Sequence, residues 1–232
     1  MSQKLDTILF DLDGTLADTA PDLAQTLNLL LQENARAMLP FPLIRPHVSH
    51  GATALVKLGF GLNNEDAPEF IALRQRFLDI YSDNLCRQTM LFPGMDTLLD
   101  DIEQRSLRWG VITNKPARFT EPLLQQLGIA ERSACIISGD STDKRKPDPA
   151  PMFLACEKIG VMPGQCLYVG DAERDITAGL NAGMKTLVAA FGYLGEQDRP
   201  EHWQAHGIIS TPEGILDWLQ NYNDQLNDIS DN

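Results

Sequence analysis

Short apolar runs and longer amphipathic stretches divide this chain into two regimes. Ile8-Leu9-Phe10 is the first run, ended abruptly by Asp11, and an apolar run this short reads as a buried strand. Beyond Leu16 the period lengthens. Leu23, Leu27, Leu30 and Leu31 share one helical face behind the cap candidates Asp18 and Thr19 and a Pro21 suited to a first turn. Pro40-Phe41-Pro42 and Pro46 break the pattern, and a segment opening at Gly51 then carries Leu55, Val56 and Leu58. Phe70, Leu73, Phe77, Ile80 and Tyr81 follow at helical spacing between Asp66 and Leu85. No strong strand is predicted between Leu16 and Met90, so this block is helical.

The pattern switches at Phe92-Pro93-Gly94. Strands are predicted over 109–113, 133–138, 165–170 and 186–190, with an edge strand over 207–210. Helices are predicted over 117–127, 149–159 behind Asp148, 174–182 and 214–222, the first three closed by Gly128, Gly160 and Gly183. Strands alternating with helices imply a parallel sheet covered on both faces. The opening strand belongs to that sheet. The chain is therefore expected to start a core domain (1–15), insert the helical block (16–90) and return to the core (91–232). From about Asn223 onward the chain is expected to fray.

Charge narrows the choice of partner. The net charge is −13, and Lys144-Arg145-Lys146 is the longest basic cluster, which argues against nucleic acid or an anionic membrane. A phosphorylated substrate would need a pocket with its own positive charge. No apolar run approaches a membrane span or a leader segment, and the expected compartment is the cytoplasm. Cys86, Cys135, Cys156 and Cys166 lie in apolar surroundings without CxxC spacing, as buried, reduced thiols do. His202 and His206 have i, i+4 spacing but no evident acidic third ligand, which argues against zinc.

Chemistry gathers after the strands. Asp11 and Asp13 follow the first strand, with Gly14 and Thr15 behind them. Thr113, Asn114 and Lys115 follow the second, and Gly170-Asp171 with Asp175 follow the strand over 165–170. Lys146 precedes a helix start. In an open parallel sheet these ends meet in one crevice. Crowded carboxylates call for a hard cation such as Mg²⁺, and a hydroxyl and a lysine beside them make a phosphoryl-transfer site. Singly, each has an ordinary alternative: Asp13-Gly14 as a turn, Thr113 as a strand end, Lys146 as a loop charge, Asp171 and Asp175 as helix-dipole carboxylates.

Taken together, Asp11-Leu12-Asp13-Gly14-Thr15, Thr113-Asn114-Lys115, Lys146-Pro147 and Gly170-Asp171…Asp175 resemble the four motifs of the haloacid dehalogenase-like phosphatase superfamily. The resemblance covers nearly the whole chain. It implies a Rossmann-like α/β core with a small helical cap inserted over 16–90. Val111 to Pro116, Gly192-Tyr193 and Ser49-His50-Gly51-Ala52 look most like phosphoglycolate phosphatases, whereas Trp109 to Pro116 and Leu127 to Ser133 match a close branch acting on N-acetylmuramic acid 6-phosphate. The Thr142-Asp143-Lys144-Arg145 stretch is more basic than that resemblance leads one to expect.

The resemblance implies the following roles. Asp11 is the nucleophile, forming an aspartyl-phosphate, its pKa lowered by Mg²⁺ and by Lys146. Asp13 is the acid/base. Asp11 and Asp171 bind the metal together with Asp13, the last through its backbone carbonyl, and Asp175 orients metal-bound water or coordinates the ion itself. Thr113 and Asn114 hydrogen-bond the phosphoryl group, with Gly14 and Thr15 also on the substrate side. Arg45, Ser49 and His50 of the cap reach the rest of the substrate, Arg45 pairing with the carboxylate of 2-phosphoglycolate, the preferred substrate. A monomer or homodimer is expected. The rival readings are a phosphomutase, a metal-free dehalogenase, against which the aspartate cluster argues, and a non-enzymatic phosphoreceiver, against which the cap and Asp13 argue.

Overall fold

The opening run forms the central strand of a fully parallel sheet. In the computed structural model, which describes residues 4–230, β1 (Thr7–Phe10) lies between β4 (Arg108–Ile112) and β6 (Cys166–Gly170). Outside these lie β5 (Ile136–Ile137) on one side and β7 (Lys185–Ala189) then β8 (Gly207–Ile209) on the other, giving the order β5-β4-β1-β6-β7-β8. All four residues of β1 and all five of β6 are buried. That explains why these strands read as continuous apolar runs rather than alternating ones, since a parallel sheet is covered on both faces.

Successive residues still divide between the two faces. Ile8, Phe10, Val111, Leu167 and Val169 pack with α5 (Met95–Gln104), α6 (Ala117–Gln126) and α9 (Gly214–Ser230). Leu9, Ile112 and Tyr168 pack with Met152 of α7 (Ala150–Ile159) and Ala178 of α8 (Glu173–Ala182). The chain moves from β1 to one side and returns to the other, so the switch point lies at the carboxyl end of β1.

Between β1 and α5 the chain builds α1 (Ala20–Glu33), α2 (Phe41–Ile44), a 3₁₀ turn over Arg45–His50, α3 (Gly51–Phe60) and α4 (Pro68–Asp83). The block is helical as predicted, apart from its two ends. Ala17–Asp18 (β2) and Met90–Leu91 (β3) pair antiparallel where the chain leaves and returns. Asp22 reinforces the crossing by accepting the Gln88 and Thr89 backbone N–H groups and the Thr89 hydroxyl.

Most element ends lie within a residue of expectation, and others differ for identifiable reasons. The strand predicted over 133–138 shortens to Ile136–Ile137, because residues 130–132 form a 3₁₀ turn and the Ser133 hydroxyl donates to the Cys135 carbonyl. The last helix continues to Ser230 instead of fraying at Asn223, whose amide donates to the Leu5 carbonyl and accepts the Leu5 N–H. Helical residues of α7 begin at Ala150 rather than Pro149, so Pro149 takes the N-cap position expected of Asp148, whose side chain accepts the Ala150 N–H from one residue further out. Among the described residues no helix is long and apolar enough to cross a membrane.

Candidate active site

Asp11 leaves the end of β1 with 3% of its surface exposed. Its Oδ1 accepts the Leu12 N–H at 2.8 Å and lies 2.9 Å from Lys146 Nζ. The same ammonium lies 2.7 Å from Asp175 Oδ1 and also donates to the Ile112 carbonyl and the Tyr168 hydroxyl. The resemblance puts Lys146 beside Asp11, and here its charge stands against two buried carboxylates, Asp11 and Asp175. Asn114 holds that lysine's loop in place. Its side-chain amide donates to the Lys146 carbonyl and accepts the Lys146 N–H, which uses one of its two N–H donors.

Asp13 points elsewhere. Its Oδ1 accepts from Lys115 Nζ at 2.9 Å and from the Thr19 hydroxyl at 2.6 Å. The acidic cluster among the described residues is Asp11, Asp171 and Asp175, whose carboxylate oxygens lie within 4.8 Å of one another. The Asp13 side chain is thus outside the cluster. Asp171 Oδ2 accepts the Tyr193 N–H and the Ser49 hydroxyl, whereas Oδ1 is buried without a partner. An orphaned carboxylate oxygen facing low-dielectric surroundings is costly. A hard divalent cation satisfies such a donor set.

The electrostatics agree. Burial pushes the Asp171 carboxyl up to about 7, and the neighbouring Asp175 and Asp11 charges add to it. Asp11 is raised as well: burial outweighs the Lys146 ammonium, and Asp175 repels it. The Lys146 ammonium does pull the Asp11 pKa down, as expected of it, but burial outweighs it. Lys146 by itself does not offset three buried like charges.

Above the cluster lies a cavity of about 430 Å³. Asp11, Asp13, Thr113 and Asn114 line it from the sheet side, and Ser49, His50, Gly51, Ala52 and Thr53 from the helical block. Arg74, Arg118, Arg145 and Arg174 also face it, so this strongly acidic chain carries its cations where an anion would enter. Lys115 and Arg174 were not assigned roles from the sequence. Their signal was position alone, Lys115 next to Thr113-Asn114 and Arg174 between Asp171 and Asp175. Arg174 donates to the Ser49 carbonyl at 2.7 Å, and burial beside Asp175, Asp11 and Asp171 leaves its guanidinium above the ordinary value because those charges outweigh desolvation.

Three predicted substrate contacts lie off the cavity. Gly14, at φ 89°, packs so closely on Asp171 and Tyr193 that a side chain would collide with both. Thr15 is fully buried. Arg45 donates to the Gly192 and Phe191 carbonyls at 2.9 and 3.3 Å and stacks over the Tyr193 ring. Its charge docks the helical block on the core rather than facing a ligand. His50 does line the cavity, and burial beside Arg174 lowers its pKa.

The sequence matches the haloacid dehalogenase-like hydrolase family over residues 8–189. The chain belongs to that family. An N-acetylmuramic acid 6-phosphate phosphatase of Pseudomonas aeruginosa is 42% identical over 93% of this chain and 95% of its own. A phosphoglycolate phosphatase of Xanthomonas campestris is also 42% identical, over 88% of this chain and 92% of its own. Among solved structures, a predicted phosphoglycolate phosphatase from Haemophilus somnus superposes with a TM-score of 0.82 at 29% identity, covering 93% of this chain and 98% of that one. The chain is an enzyme with the fold of these hydrolases, a parallel α/β core carrying its polar residues at the strand ends.

Proposed function

We propose that the chain is a Mg²⁺-dependent phosphomonoesterase acting on a carboxylate-bearing sugar phosphate of the N-acetylmuramic acid 6-phosphate kind. One observation carries the reading: Asp11 lines a cation-rich cavity, and the second acid two residues on is held apart from it by Lys115. Two neighbouring carboxylates with different partners suit two different tasks. Asp11 attacks phosphorus and becomes the aspartyl-phosphate. Asp13 delivers a proton to the departing alkoxide and later takes one from the hydrolytic water. Thr113 and Arg174 border the place where charge builds on the phosphoryl oxygens. Mg²⁺, when bound by Asp11, Asp171, Asp175 and the Asp13 backbone, would neutralise charge on both nucleophile and phosphate. The block over 16–90 acts as the cap that excludes water.

The preference for the sugar phosphate over 2-phosphoglycolate rests on size: the cavity is larger than a two-carbon acid requires, holding the volume of roughly a dozen waters. Phosphoglycolate remains the second reading, favoured by the Xanthomonas relative. The test is a kcat/KM panel of N-acetylmuramic acid 6-phosphate, 2-phosphoglycolate and glucose 6-phosphate, with Mg²⁺ and with EDTA. The proposal expects metal-dependent turnover, highest for the muramic acid ester. Higher kcat/KM for phosphoglycolate reverses the order of substrates, and a single stoichiometric phosphorylation without turnover sinks the phosphatase reading in favour of a phosphoreceiver.

A further inference from the structure

The cap touches the carboxylate cluster through one hydroxyl. Ser49 Oγ donates to Asp171 Oδ2 at 2.8 Å, although the two residues are 122 positions apart. The other donor to that oxygen is the Tyr193 N–H at 2.9 Å. Two donors on one oxygen orient the carboxylate and leave Oδ1, buried and unpartnered, as the ligand atom. A neutral hydroxyl does this without cancelling the charge that a cation needs, as a lysine or arginine would.

Ser49 is itself held from the core. Arg174 donates to its carbonyl at 2.7 Å, and four residues earlier Arg45 grips the Phe191 and Gly192 carbonyls and covers Tyr193. The cap turn over 45–49 and the loop over 191–193 therefore converge on the same oxygen and are tied to one another. Neither donor is adjacent to Asp171 in sequence, and only one of them belongs to the core.

We infer that Ser49 is a positioning residue for the cation site: the docked cap supplies one of the two hydrogen bonds that orient Asp171, which couples cap docking to cation affinity. The inference rests on reading Asp11, Asp171 and Asp175 as a Mg²⁺ site. Groups that hydrogen-bond a ligating carboxylate typically change metal affinity by about 10–100-fold when removed. Coupling of two binding events is reciprocal, so bound Mg²⁺ must in turn favour the docked cap.

The experiment is calorimetric titration of Mg²⁺ into the full chain without substrate, for the wild type, Ser49→Ala, Ser49→Thr and Ser49→Cys, with backbone hydrogen exchange over 45–50 measured with and without Mg²⁺. Ser49→Ala should bind Mg²⁺ about tenfold more weakly, Ser49→Thr should match the wild type, and Ser49→Cys, a weaker donor, should fall between. Mg²⁺ should slow exchange over 45–50 in the wild type and in Ser49→Thr but not in Ser49→Ala. An unchanged Kd in Ser49→Ala, or equal weakening in Ser49→Ala and Ser49→Thr, overturns the inference while leaving the metal site standing. A wild type that binds no Mg²⁺ overturns both.

Discussion

Lys115 Nζ donates to Asp13 Oδ1 at 2.9 Å while resting 4.7 Å from the centroid of the Tyr81 ring. The core lysine thus touches both the second acid and the cap helix α4. Burial disfavours its charge, but Asp13 and Tyr81 outweigh that and hold its pKa above the ordinary lysine value, so the ion pair persists at neutral pH. Lys115→Met should lower kcat for p-nitrophenyl phosphate by about 10²-fold, the lower range of what a misplaced acid/base costs. Mg²⁺ affinity by calorimetry should not change. A wild-type kcat in this variant would mean that Asp13 is oriented by Thr19 alone.

Asp11→Asn removes the carboxylate proposed as the nucleophile without changing the side chain's size. Turnover should fall at least ~10³-fold, as for groups acting in a catalytic unit, and acid-quenched protein should carry no phosphoryl label. Asp13→Asn should also cripple turnover, yet retain label from p-nitrophenyl phosphate, because that leaving group departs without a proton while hydrolysis of the aspartyl-phosphate stalls without the base. Label on Asp11→Asn would reassign the nucleophile.

The pH dependence follows from Asp171, whose carboxyl rises from the usual 3.8 to about 7 in the folded, metal-free chain. A group raised on folding holds its proton more tightly in the native state, so its contribution to stability is full below about 4 and is lost as pH rises through about 7. Mg²⁺ must displace that proton. The Mg²⁺-induced rise in Tm should therefore be small at pH 5 and larger at pH 8. A Tm shift independent of pH, measured by calorimetric unfolding with and without Mg²⁺, would remove Asp171 from the ion.

Arg45→Ala breaks two hydrogen bonds to core carbonyls and a ring contact, all between cap and core. Each such charge-assisted bond contributes about 1.5–3 kcal/mol at most, less where water competes. The variant should lower kcat/KM by a similar factor for muramic acid, glycolate and glucose phosphates, because what it loosens is the cap rather than a substrate contact. A loss confined to the carboxylate-bearing esters would return Arg45 to the substrate side.

The sequence alone determined the parallel core, the helical insertion and the convergence of Asp11, Asp13, Thr113, Lys146, Asp171 and Asp175. Each of these depends on local signals: apolar runs whose length marks strands buried on both faces, and polar residues placed immediately after them. Only the tertiary structure decided which carboxylate each cation meets. Lys146 serves Asp11 and Asp175 while Lys115 serves Asp13, though both lysines sit in similar polar loops. Likewise Asn114 turned to backbone, Arg45 to Gly192 and Ser49 to Asp171. Those partners lie from 32 to 147 residues apart in sequence. No periodicity extends that far; such pairings are set by how the cap and the strand-end loops pack together, and by the cost of leaving a buried polar atom unpaired.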